Sequence, residues 1–193
     1  MAFVYFSGCK YTALSPESSS KIKRYLKEKR GMTVTGCCRV NHNKLTKQDS
    51  ALVVCPTCLF NLRESAPQAN ILSLWEILAD DNNFPWPDYR GKSITVQDCI
   101  DTSDNQSWQN AVRRILKCMN VNVVEIGKSF DKSDFCNIES STSPEPKEKQ
   151  MEELINHCRQ YTTDTVVCYC TGCYNSLKIA GINGVHLLNM ITD

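Results

Sequence analysis

Short runs of β-branched and aromatic residues recur along this chain, and each stops at a group of small, polar or cysteine residues. Phe3-Val-Tyr-Phe6, Met32-Thr-Val-Thr35, Leu52-Val-Val54, Asn70 to Leu74, Ser93-Ile-Thr-Val-Gln97, Val121 to Ile126 and Val166-Val167 have the length and composition of strands. Between them the apolar positions change to helical spacing. Ser15-Pro16-Glu17 supplies an N-cap, a first-turn proline and an early acid; Ile22, Tyr25 and Leu26 then form one face, until Gly31 ends the helix after Arg30. Trp108, Ala111, Val112, Ile115, Leu116 and Met119 form a second face, capped near Asp104 or Ser107. Met151, Leu154, Ile155 and Cys158 form a third, and Leu59 to Arg63 and Tyr174 to Ile179 read as shorter helices. The apolar segments Leu74 to Leu78 and Val185 to Ile191 read as short closing helices.

Strands that alternate with helices predict parallel pairing. The order of elements also repeats: strand and cysteine, helix, strand, cysteine region, strand with paired cysteines, helix, apolar closing segment. The expected fold is therefore α/β, with two pseudo-repeated small units of mostly parallel sheet and cysteines at the strand carboxyl ends. Asp80 to Arg90, with Asp-Asp-Asn-Asn and Pro-Trp-Pro, has the turn chemistry of a connection, so the halves are expected at 1–88 and 89–193. Gly127 to Lys149 is polar and reads as a mobile loop around Cys136.

Composition narrows the chemistry. The chain has 193 residues with 41% hydrophobic, enough for a true core. With 22 basic and 21 acidic residues, its net charge of +1 gives no broad footprint for nucleic acid or an acidic membrane. No stretch approaches the ~20 apolar residues of a bilayer span, and Met1 to Phe6 lacks the basic flank of a secretory signal. The expectation is a soluble, cytoplasmic protein. In that reducing setting its 12 cysteines point to metal ligation or redox chemistry ahead of a disulfide framework.

The first half offers Cys9, Cys37, Cys38, Cys55 and Cys58, five sulfurs from three strand ends. Zinc takes four ligands, so the fifth is surplus to a zinc site, whereas soft thiolates with an additional ligand suit an iron–sulfur cluster. Cys37 and Cys38, being adjacent, are poorly placed to bond each other but can share a cluster. The second half offers Cys99, Cys136, Cys170 and Cys173, which suit a [4Fe–4S] cluster or zinc. Cys168 alternates with Cys170 along its strand, so both side chains point the same way, and it reads either as a core thiol or as a further ligand there.

Gly-Cys at a first strand end, Cys-Cys after the second strand, then Cys-x-x-Cys, all repeated, resembles the cysteine-rich CCG domain of heterodisulfide reductases and related iron–sulfur proteins. The resemblance spans essentially the whole chain. It implies a redox protein, cytoplasmic and anaerobic in setting, in which Cys9, Cys37, Cys38, Cys55 and Cys58 hold a [4Fe–4S] cluster of non-cubane type and form the catalytic centre. Cys99, Cys136, Cys170 and Cys173 would hold a second [4Fe–4S] cluster or zinc, as a relay or structural site. The implied reaction is disulfide reduction or electron transfer, with a small disulfide as substrate and a ferredoxin-like or flavoprotein subunit as electron partner. This sequence departs from the family at Cys37-Cys38-Arg39, where a glycine is usual, and at Phe135-Cys136-Asn137, where the doublet is missing.

Two other readings come from the same thiols: a zinc-binding structural or regulatory module, and a metal-free dithiol oxidoreductase built on Cys55-Pro-Thr-Cys58. Of the remaining residues, Cys118 and Cys158 are expected in the core, His186 as a satisfied structural histidine, and His42 and His157 on the surface. Arg39 either faces solvent or offers its charge to the cluster or an anionic substrate.

Overall fold

A computed structural model describes residues 3–134 and 145–193. Cys136 lies outside the described residues. Contacts divide the chain into two units, residues 1–85 with 192–193, and residues 86–191.

The first unit runs β1 (Phe3–Phe6), α1 (Cys9–Leu14), α2 (Pro16–Arg30), β2 (Thr33–Thr35), α3 (Cys38–Asn41), β3 (Ser50–Val53), α4 (Pro56–Ser65), β4 (Asn70–Ser73) and α5 (Leu74–Ala79). Its sheet has the order β2-β1-β3-β4, and every pairing is parallel. Central β3 is buried along its length, as a strand covered on both faces must be. Gly31 stops α2 in the left-handed conformation, as its position in the sequence predicts. Ser15 makes no side-chain cap bond, so the start of α2 rests on Pro16. Ser73 and Glu76 form a reciprocal capping box at α5.

The second unit runs β5 (Ser93–Gln97), α6 (Gln106–Cys118), β6 (Asn122–Val124), α7 (Lys147–Cys158), β7 (Val166–Cys168), α8 (Thr171–Ile179), β8 (Gly184–His186) and α9 (Leu187–Met190). Its order, β6-β5-β7-β8, repeats the first, again all parallel. The fold is thus two pseudo-repeated α/β units. The N-cap of α6 is Asn105, whose side chain accepts from the Trp108 N–H at 3.2 Å.

Several expectations need correction. Helix α1 begins directly at Cys9, where the sequence suggested only a strand end. Strand β8 precedes the closing helix of the second unit. Cys118 is exposed, because at ~100° per residue it sits about 90° around α6 from the centre of the buried stripe. Ile155 is 45% exposed, so the buried face of α7 is Gln150, Leu154 and Cys158. His157 is largely covered, donating from Nε2 to Gln97 Oε1 at 2.7 Å. The loop after β6 is pinned up to residue 134: Phe130 N–H and Ser133 Oγ donate to Asp98, and Gln109 donates to the Phe130 carbonyl. No helix among the described residues is long and apolar enough to cross a membrane.

In each sheet the chain leaves one central strand for one edge and returns to the other side. The carboxyl ends of β1 and β3, and of β5 and β7, therefore flank a topological switch point, where open α/β sheets leave a crevice. The thiols collect there.

Candidate functional site

In the first unit Gly8 sets the approach. Its φ is +69°, and a Cβ there would stand 2.8 Å from Val54 Cγ1 and 3.9 Å from Cys55 Cβ. Only glycine lets the turn after β1 press against the end of β3 in this conformation. Cys9, the next residue, opens α1 and is exposed. Cys37 is the half-buried N-cap of α3 and Cys38 its buried first residue. Cys55 caps α4, Pro56 opens it and Cys58 lies in its first turn, both cysteines being buried. The Cys-x-x-Cys spacing thus wraps a helix N-terminus, whose N–H groups favour thiolates.

The five sulfurs are linked pairwise. Cys38 is held down to about 6, first by a hydrogen bond from the Cys58 thiol, against burial and with help from Asn61. Asn61 Nδ2 donates to Cys38 Sγ at 3.8 Å. Cys58 is pushed far up by its hydrogen bonds with Cys38 and Cys55, so it keeps the proton between them. Cys9 is raised by burial of its thiol, then by hydrogen bonding and charge from Cys37 and by the charge of Cys38. Hydrogen bonds thus join Cys55, Cys58 and Cys38 at the buried floor and Cys9 with Cys37 at the open mouth, and between the two groups Cys9 feels the charge of Cys38. Beneath them Tyr5 Oη is buried without a hydrogen-bond partner among the described residues. Its pKa is raised by burial, then by Tyr11 and Cys58.

The second unit builds a tighter site. Cys170 caps α8 and Cys173 lies in its first turn, as Cys55 and Cys58 do at α4. Cys99 caps the short 3-10 turn Ile100–Thr102. The three Sγ atoms all lie within 4.8 Å of one another. Cys99 and Cys173 are 0% exposed and Cys170 3%. Hydrogen bonds from Cys173 and Cys99 hold Cys170 well below the usual thiol range, against burial, and the N–H groups of Cys173 and Gly172 add to them.

Cys168 is not in this group; its Sγ donates to the Val185 carbonyl at 3.8 Å. Burial and then the charge of Cys170 push its thiol up. His186 is structural as expected, with Nδ1 accepting from the Leu188 N–H at 3.2 Å and capping α9. Burial holds its pKa down to about 4, opposed by the nearby Cys170 charge. None of the eleven described cysteines is in a disulfide.

Register separates the two sites. Phe6 pairs with Val53 two residues before Cys55, and Gln97 pairs with Cys168 two residues before Cys170. Cys99 therefore stands level with Gly8, and Cys9 with Ile100, itself 42% exposed. Cys9 and Cys99 are not equivalent positions: one residue moves the sulfur from the mouth to the interior.

Sequence reasoning overlooked Asn61, Tyr5 and the anchor of the second site. That anchor is Asp98, 0% exposed, whose carboxylate accepts from Arg113 at 2.6 and 2.7 Å, from Phe130 N–H at 2.9 Å and from Tyr169 Oη at 3.0 Å. Arg113 also pairs with Glu125 at 2.7 Å and lies 4.2 Å from the Phe130 ring centroid. The available signal was a carboxylate placed directly between an apolar strand and a cysteine. Its partner, fifteen residues on, carries no local mark.

No protein-family model and no curated protein matches this chain. Among solved structures it is similar to Picrophilus torridus aspartate racemase, at 11% identity and TM-score 0.37, over 99% of this chain and 90% of that one. It is also similar to glutamate racemase isoform RacE1 of Bacillus anthracis, at 10% identity and TM-score 0.36, over 100% and 78%. A solute-binding protein of an ABC transporter from Burkholderia multivorans follows at 11% identity and TM-score 0.29, over 93% and 75%. At these scores the likeness carries nothing about activity.

Proposed function

We propose that the first unit is an iron–sulfur redox centre that serves disulfide reduction or electron transfer, with Cys9, Cys37, Cys38, Cys55 and Cys58 as its ligands. The observation that carries this reading is the gathering of these five thiols at one switch point, Cys55, Cys58 and Cys38 joined by hydrogen bonds, Cys9 joined to Cys37, and Cys9 within reach of the Cys38 charge. The donor set fits the group: soft sulfurs, more than one ion takes, strung out from floor to mouth. Tyr5 Oη, buried near Cys58 without a partner, is a donor for a group seated among the thiols.

A bound iron–sulfur centre supplies one-electron chemistry. The protein supplies the rest. Gly8 holds the Cys9 turn against β3, Asn61 steadies Cys38, and the start of α4 places Cys55 and Cys58 one turn apart. Exposed Lys10 and Arg39, next in sequence to Cys9 and Cys38, favour an anionic disulfide. The reduction balances as one disulfide, two electrons from a ferredoxin-like or flavoprotein partner and two protons, giving two thiols.

The test is anaerobic reconstitution of the full chain with iron and sulfide. The expected product is brown and contains acid-labile sulfide, and Cys38→Ser removes most of its visible absorbance while Cys118→Ser leaves it intact. A colourless product overturns the reading. Turnover of a small disulfide that persists without any metal favours the dithiol alternative instead.

A further inference from the structure

We infer that Cys99, Cys170 and Cys173 hold a single thiophilic d10 ion, Zn2+ or Cu+, and not an iron–sulfur cluster. The first ground is spacing. Sulfurs that share one tetrahedral ion at a metal–sulfur distance of about 2.3 Å stand about 3.8 Å apart, and trigonal sharing widens this only slightly. All three Sγ atoms already lie within 4.8 Å of one another. Thiolates on separate irons of a cubane point away from its centre and must stand further apart than donors to one ion. The first unit shows the contrast: among the described residues its five sulfurs form no such compact group.

The second ground is enclosure. Cys99 and Cys173 are wholly buried, Cys170 nearly so, and the polar groups of the Cys99 turn are engaged with one another. Tyr169 Oη accepts from the Cys99 N–H at 3.3 Å and shares a hydrogen bond with Thr102 at 2.8 Å. Since the Tyr169 hydroxyl proton goes to Asp98, Thr102 donates to Tyr169, and its Oγ1 lies 2.9 Å from the Cys99 carbonyl. Little space remains between three sulfurs so placed for inorganic sulfide and several irons. A closed, sulfur-only site is the pattern of structural ions, and among single ions thiolates select zinc and monovalent copper. The N-terminus of α8, a nine-residue helix, offsets part of the surplus negative charge.

This inference does not rest on the iron–sulfur reading of the first unit, and the test keeps the two apart. A full-length Cys37→Ser/Cys38→Ser variant removes the first site; it is loaded with Zn2+ or, under reducing conditions, with Cu+, then passed over a chelating resin. One equivalent retained per chain, with no acid-labile sulfide, is expected. X-ray absorption should give a metal–sulfur shell near ~2.3 Å and no metal–metal shell. Three sulfurs identify a trigonal copper form, and four identify tetrahedral zinc with one further thiol. Adding Cys173→Ser should abolish retention; should that variant fail to fold, the absorption spectrum of the intact triad still decides. Iron in place of zinc or copper, a metal–metal shell, or no retained ion overturns the inference.

Discussion

The two units share strand order, parallel register and a Cys-x-x-Cys wrapped around a helix start, yet they present their thiols in opposite ways. In the first, the turn after β1 is glycine followed by cysteine, and the cysteine faces out. In the second, cysteine occupies the glycine's level and faces in, with Asp98 just before it locked by Arg113. The row across the sheet changes too: Phe6, Val53 and Ser73 in the first unit are matched by Gln97, Cys168 and His186 in the second. One architecture therefore yields an open site, held by close backbone approach, and a sealed one, held by a buried ion pair. Duplication fixes where a site lies. A one-residue offset decides what can reach it.

The largest effect that breaks this comparison is at the anchor of the sealed site. Arg113→Met leaves the buried Asp98 carboxylate without its main partner and should destabilise the second unit by about 3–5 kcal/mol, read by chemical denaturation. The same comparison is sharpened by Gly8→Ala, which forces a side chain into positive φ and against Val54. A loss of about 1–3 kcal/mol is expected, with faster alkylation of Cys55 by mass spectrometry. Unchanged stability in either variant would show that the two sites are not held as described.

Protonation separates the sites next. The depressed pKa of Cys38 means that its thiolate adds stability above the ordinary thiol range, and that this is lost as pH falls through about 6. Metal-free protein should lose thiolate ultraviolet absorbance in that step, whereas the Cys170 thiolate is held by Cys173 and Cys99 and does not depend on Cys58. Cys58→Ala removes the donor to Cys38 and should move the step upward; a step that stays near 6 would rule out that hydrogen bond as its cause. The smallest effect belongs to the caps. Ser73→Ala should cost about 1 kcal/mol of stability in the first unit, measured by thermal unfolding.

Much of the fold was legible because its determinants are local. β-branched runs bounded by turn residues marked the strands, Pro16 and Gly31 bracketed α2, and one periodic stripe from Trp108 to Met119 revealed α6. The cysteines stood out as a repeated series for the same reason. Helix α1 was missed because Cys9 to Leu14 is short and has no clear apolar period. The surface position of Cys118 was missed because an apolar neighbourhood in sequence does not say which side of the helix a residue takes.

What the chain order determined by itself was two parallel α/β units with thiols at strand ends, since alternation, caps and breakers act over a few residues. Tertiary structure alone decided which thiols touch, which face water and what holds them. Those outcomes depend on the register between β1 and β3, or β5 and β7, and on pairs such as Asp98 with Arg113 that meet only when the sheet brings distant segments level. Contacts of that kind arise from packing across the sheet, and no local pattern of residues encodes them.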